Sequence, residues 1–139
     1  MPERIVFLCP HAAAKSVMAA AYCQQLVAQW GVSLHITSAG TEPDAEVAPA
    51  VVTLLRAEGI HVADQRPRCV TAEELAAASH IISLGCDLGD LARPGMPIER
   101  WDDVPASSQD LQGARDRIRD HVEQLIVRLK QAISSPASP

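Results

Sequence analysis

The sequence predicts an α/β fold in three layers, a parallel sheet with helices on both faces. Three observations lead there. Short apolar runs rich in β-forming residues alternate with longer runs whose apolar positions recur every three or four residues, which is the pattern of βαβ units. The first run, Arg4-Ile5-Val6-Phe7-Leu8, is almost uniformly apolar, as suits a parallel strand buried on both faces. No internal repeat or linker divides the 139 residues, so a single domain over residues 1–133 is expected, with a frayed tail of Ser, Pro and Ala over 134–139. A chain of this length buries roughly two-thirds of its unfolded surface, enough for one core.

The elements follow in order. The strand at 4–8 stops at Cys9-Pro10. Val17, Met18, Ala21, Tyr22, Leu26 and Trp30 then recur at helical spacing, with Ser16 as a candidate cap and Gly31 as the stop. Residues 34–38 form a second strand, ending in Ala39-Gly40-Thr41 and a polar loop. Pro49 suits a first helical turn, Val51, Val52, Leu54 and Leu55 give an apolar face, and Gly59 terminates the helix. Residues 60–62 are expected to form a brief extended segment, and Arg66-Pro67-Arg68 a loop. Thr71 and Glu74 have the spacing of a capping box, opening a short helix to about Ala78. A strand at 80–84 ends at Gly85-Cys86. Residues 87–97 carry Gly89, Pro94, Gly95 and Pro97 and predict irregular backbone. A last strand at 98–101 leads into a loop at 102–105, and residues 110–133 read as a long amphipathic helix.

Composition narrows the function. Twelve Lys and Arg stand against seventeen Asp and Glu, a net charge of −5, and no basic block is present to neutralise phosphates, which argues against a nucleic-acid partner. No apolar run has the length of a membrane span and no signal-peptide pattern opens the sequence, so a cytoplasmic protein without a membrane partner is expected. Cys9, Cys23, Cys69 and Cys86 are dispersed without metal-ligand or disulfide spacing, so no metal and no cofactor is expected and the thiols are expected to be reduced. Cys23 and Cys69 read as small buried hydrophobes. His35, His61, His80 and His121 carry no assigned function, and Arg66 and Arg68 read as surface charge.

Ligands of open parallel sheets sit at the carboxyl ends of the strands. Here those ends are Cys9, Ala39-Gly40, Gly85-Cys86 and Trp101-Asp102-Asp103. A cysteine at the turn between a buried strand and a helix N-terminus lies in the field of the helix, which stabilises its thiolate, and the amides of the same turn cradle a tetrahedral oxyanion. The expected oxyanion-binding loop is His11, Ala12, Ala13, Ala14 and Lys15; Pro10 has no amide to donate. His11 reads either as a solvent-facing residue or as a contributor to the anion site.

Ile5-Val6-Phe7-Leu8-Cys9, Lys15-Ser16-x-Met18-Ala19, Thr37-Ser38-Ala39-Gly40-Thr41, Gly59-Ile60, the run Ile81 to Cys86, Trp101-Asp102-Asp103 and the final helix together resemble the low-molecular-weight protein tyrosine phosphatase family, and within it the thiol-dependent arsenate reductases. The resemblance implies a four-stranded parallel sheet flanked by helices. It also implies chemistry on phosphate or arsenate: Cys9 as nucleophile, Ser16 on its thiolate, and Asp103, or alternatively Asp102, as the acid. The family signature is cysteine, five residues, arginine, then serine or threonine. Lys15 stands where the arginine belongs.

That lysine keeps a charge but lacks the planar fork that holds two oxygens, so impaired or altered activity is expected. His11-Ala12 replaces the Gly-Asn that braces the family loop, and Val104 separates Asp103 from Pro105 where the family acid directly precedes a proline. Cys86 lies where arsenate reductases carry a redox cysteine, so a Cys9 to Cys86 disulfide or an external thiol reductant is a further expectation. Three readings therefore stand: a weak phosphatase or arsenate reductase with a phosphoprotein or thioredoxin-like partner, a non-catalytic oxyanion- or partner-binding relative, and a thiol redox protein using Cys9 and Cys86.

Overall fold

The computed structural model describes residues 3–134. Its elements run β1 (Glu3–Leu8), α1 (Lys15–Trp30), β2 (Leu34–Ala39), α2 (Pro49–Ala57), α3 (Ala72–Ala77), β3 (His80–Ser83), a 3₁₀ turn (Gly89–Leu91), β4 (Ile98–Arg100) and α4 (Leu111–Ser134). The four strands form one parallel sheet in the order β2-β1-β3-β4. β1 is central, pairing Leu8 with Ala39 on one side and with Ser83 on the other. Cys9 thus leaves the sheet between the ends of two neighbours.

Alternation along β1 explains its uniform apolarity. Ile5 and Phe7 face a core built with α1, α2 and α4, whereas Val6 and Leu8 face a second core with Leu75 of α3, Val70 and Leu88. Trp101, 2% exposed, follows β4 and packs in the larger core. Its ring tilts against Phe7, with centroids 5.7 Å apart, and stacks on His121 of α4 at 4.7 Å.

Most boundaries fall within a residue of expectation, and four readings change. Ser16 is not the cap of α1: the helix begins at Lys15, its N-cap is Ala14, and no side chain caps it. Residues 60–62 form no strand; the extra bridge on that side of the sheet joins Gly40 to Cys69. Cys69 is exposed rather than buried, because that bridge lies beyond the end of β2, the edge strand of the sheet. Ser134 is helical, and the rest of the expected tail, residues 135–139, lies outside the described residues. Thr71 does cap α3, its Oγ1 accepting from the Glu74 amide at 3.1 Å. Asp110 performs the same task for α4, Oδ1 accepting from Gly113 N at 2.9 Å.

Candidate active site

Cys9 is buried where β1 gives way to α1. The apolar strand carries its backbone into the core, and its sulfur meets the first turn of the helix. Cys9 Sγ lies 3.0 Å from Ser16 Oγ and accepts from the Ser16 amide at 3.4 Å. Ser16 is itself fully buried. Its hydroxyl accepts from the thiol and donates to the thiolate, so one side chain serves both protonation states of Cys9.

Between Cys9 and Lys15 the backbone is turned by its neighbours. The carbonyls of Pro10, His11 and Ala13 accept from the amides of Glu42 (2.8 Å), Asp44 (2.9 Å) and Ala48 (2.9 Å). Ala12 adopts the left-handed region at φ 54°. Among the described residues, no protein group accepts from the amides of His11, Ala12, Ala13, Ala14 or Lys15. The loop carbonyls are therefore occupied outside and five amides remain at the head of α1, an arrangement suited to an anion.

Gly40 makes this closeness achievable. A Cβ there would lie 2.5 Å from the carbonyl oxygen of Cys9 and 2.6 Å from that of Pro10. The sequence pattern does not reveal that contact. His11 proves to be a brace: Nδ1 donates to the carbonyl of Glu42 at 3.0 Å and lies 3.5 Å from the Asp44 carboxylate. Its imidazole and its carbonyl both bind the 42–44 segment.

Lys15 reaches across the mouth of the loop. Its Nζ donates to the Val104 carbonyl at 3.4 Å, and a Cβ built on Gly85 would lie 3.8 Å from it. The ammonium thus joins the loop after β4 to the rim. Both acidic candidates have partners: Asp102 pairs with Arg100 at 3.1 Å, and Asp103 accepts from His121 Nε2 at 2.7 Å with Arg117 at 3.6 Å. The His121 hydrogen bond holds the Asp103 carboxyl below the usual carboxylate range, Arg117 adding to it. No sequence signal marked His121, because its partner lies 18 residues away on another element.

Cys86 is buried and, like Cys9, a free thiol. Its backbone is clamped by Ser83 Oγ, which donates to the Cys86 carbonyl (2.8 Å) and accepts from its amide (3.1 Å). Its sulfur lies 3.8 Å from Thr41 Oγ1. Burial pushes the Cys86 thiol up, the Thr41 hydroxyl opposes this, and the Cys9 charge adds to it. Cys23, fully buried on α1, is pushed up to about 12 by burial alone and takes no part.

Residues 4–95 match the family model described as low molecular weight phosphotyrosine protein phosphatase. A candidate arsenate reductase of Halobacterium salinarum is 27% identical over 125 residues, covering 88% of this chain and 87% of that protein. Among solved structures, the thioredoxin-dependent arsenate reductase of Corynebacterium glutamicum superposes with a TM-score of 0.82 at 24% identity. That match covers 94% of this chain and 63% of the other, so this chain spans less than two-thirds of that protein. The low molecular weight protein tyrosine phosphatase of T. tengcongensis superposes at 0.79 with 18% identity, covering 91% and 99%. These likenesses agree with the four-stranded parallel sheet flanked by helices.

Proposed function

The chain belongs to the low molecular weight phosphotyrosine protein phosphatase family, and from that premise we propose that it acts with the Cys9 thiolate on a phosphate or arsenate oxyanion, at a reduced rate because Lys15 takes the place of the arginine clamp. One observation carries this reading: Cys9 Sγ sits against the hydroxyl and amide of Ser16 amid five amides with no protein acceptor among the described residues. A tetrahedral oxyanion accepts those hydrogen bonds while the sulfur approaches its central atom in line. Lys15 supplies one positive charge, enough to attract the anion but not to hold two oxygens in the transition state.

A small inorganic oxyanion suits the rim better than phosphotyrosine. Phe7, Tyr22 and Trp101 are buried, and Trp30 ends α1, about 22 Å along the helix from the loop at 1.5 Å per residue. The aromatic walls that would sandwich a phenyl ring are thus elsewhere. The similarity to arsenate reductases points the same way.

The place of Cys86 favours a second reading within the first, that electrons for arsenate come from Cys9 and Cys86. Cys9 sulfur bonds to arsenic(V) with loss of water; Cys86 thiolate attacks that sulfur; the sulfur–arsenic bond breaks and its electron pair leaves with arsenic(III). The disulfide formed is reduced by an external thiol, such as a thioredoxin-like partner or a small cytoplasmic thiol. No helix among the described residues is long and apolar enough to cross a membrane, and a cytoplasmic setting suits the reduced thiols.

Turnover of arsenate with thioredoxin or a small thiol, and of an aryl phosphate, compared with Cys9→Ser, tests the proposal. Activity above that control is expected. Lys15→Arg should raise kcat/KM about tenfold or more, since a bidentate charge-assisted pair is worth roughly 1.5–3 kcal/mol. No turnover from either protein, with oxyanion binding retained, would favour a non-catalytic oxyanion-binding protein instead.

A further inference from the structure

In the sheet order β2-β1-β3, the segments that follow β2 and β3 are separated by the end of β1. Two strand spacings amount to roughly 10 Å. Yet Thr41, just beyond β2, touches Cys86, just beyond β3, its Oγ1 lying 3.8 Å from Sγ. The two segments therefore meet across the end of the strand that delivers Cys9, and they meet through a hydroxyl and a thiol. The Cys86 backbone has no freedom to drift, because Ser83 binds both its amide and its carbonyl. Gly40, directly before Thr41, is wedged against the carbonyls of Cys9 and Pro10, so the position of Thr41 is fixed relative to the Cys9 loop.

We propose that Thr41 is the positioning residue for Cys86: its hydroxyl holds the Cys86 sulfur beside the Cys9 loop and donates a hydrogen bond to the thiolate from which Cys86 attacks. This rests on the reading in which Cys9 and Cys86 form a disulfide. Cys86 is 1% exposed, so little water stabilises its charge, and the Thr41 hydroxyl, helped by the Thr41 backbone, favours the thiolate against burial and the Cys9 and Asp87 charges. Burial opposes the thiolate and Thr41 counters it. The hydroxyl donates to the thiolate and accepts from the thiol, needing only rotation about one bond.

Hydrogen peroxide isolates the step from arsenate chemistry. Peroxide takes two electrons from the Cys9 thiolate, giving the sulfenic acid and hydroxide; the Cys86 thiolate attacks Cys9 sulfur, the sulfur–sulfur bond forms, the sulfur–oxygen bond breaks, and a second hydroxide departs. The variants are Thr41→Val, which keeps the shape and removes the hydroxyl, and Thr41→Ser, which keeps the hydroxyl. Thermal melting confirms folding of both, and mass spectrometry after stopped peroxide treatment follows the disulfide.

Thr41→Val should slow Cys9–Cys86 disulfide formation near neutral pH by roughly fivefold, the worth of one hydrogen bond, and Thr41→Ser should restore the rate. In a Cys9→Ser background, the pH midpoint for alkylation of Cys86 should rise in Thr41→Val and return in Thr41→Ser. An unchanged midpoint and rate in Thr41→Val would overturn the role of Thr41 while leaving the redox reading intact. Failure of the parent protein to form the disulfide at all would overturn both.

Discussion

Ala12 holds a left-handed backbone at φ 54°, which costs a residue bearing a Cβ about 1–2 kcal/mol. The strain persists because the surrounding contacts fix the loop: the carbonyls on either side are tied to the 42–48 segment, and Ala12 itself is buried. Gly40 is the residue on which those ties depend. With Gly40→Ala the new Cβ would fall 2.5 Å from one backbone oxygen and 2.6 Å from another, and neither can rotate away as a side chain would. The variant should lose about 2–3 kcal/mol of stability and bind phosphate more weakly, because relief requires the Cys9 loop to move. Urea unfolding and phosphate calorimetry check both effects. Wild-type affinity in a folded Gly40→Ala protein would show that the loop tolerates displacement.

Among the elements, α4 governs the loop after β4. Trp101 fixes the start of that loop in the core, His121 stacks on its ring, and the same imidazole binds Asp103. Asp103 thereby latches the loop to the helix, with Lys15 holding the next carbonyl. The latch has a pH signature. Asp103 is held below the usual carboxylate range in the folded protein, so its contribution to stability is full above the unfolded value near 3.9 and disappears as pH falls through the folded value. Half-exposed carboxylates contribute little, so the informative quantity is a difference. The gap in melting temperature between wild type and Asp103→Asn should be widest near neutral pH and close below about pH 4. A gap independent of pH would assign the effect to packing. The equivalent tie for α3 is stronger in geometry: Glu74 accepts from both Arg68 and Thr37, and although burial would raise its carboxyl, Arg68 and then Thr37 hold it low.

At the scale of the whole molecule, what was legible in the sequence was what local pattern encodes. Strand and helix periods gave the order of the elements, and the uniform apolarity of β1 follows from its two cores. Cys9 was legible because a strand end and a helix start are both local signals. The burial of Ser16, the exposure of Cys69 and the engagement of Asp103 were not, since each depends on which distant segment the folded chain brings alongside. The proposed anion site is likewise assembled from the whole sheet: β1 delivers the sulfur, the segment beyond β2 turns the carbonyls outward, and the loop beyond β4 holds Lys15. Anion binding should accordingly stabilise the entire fold and not merely the loop. At one hundred times its dissociation constant, phosphate or arsenate should add about 2.7 kcal/mol, which raises Tm by about 10 °C for a chain of this size. Chloride at matched ionic strength should do far less, and Lys15→Ala should shrink the shift by removing the cation at the loop's end. Equal melting temperatures in phosphate, arsenate and chloride would mean that the five amides at the head of α1 serve no oxyanion, which would remove the foundation of the proposed chemistry.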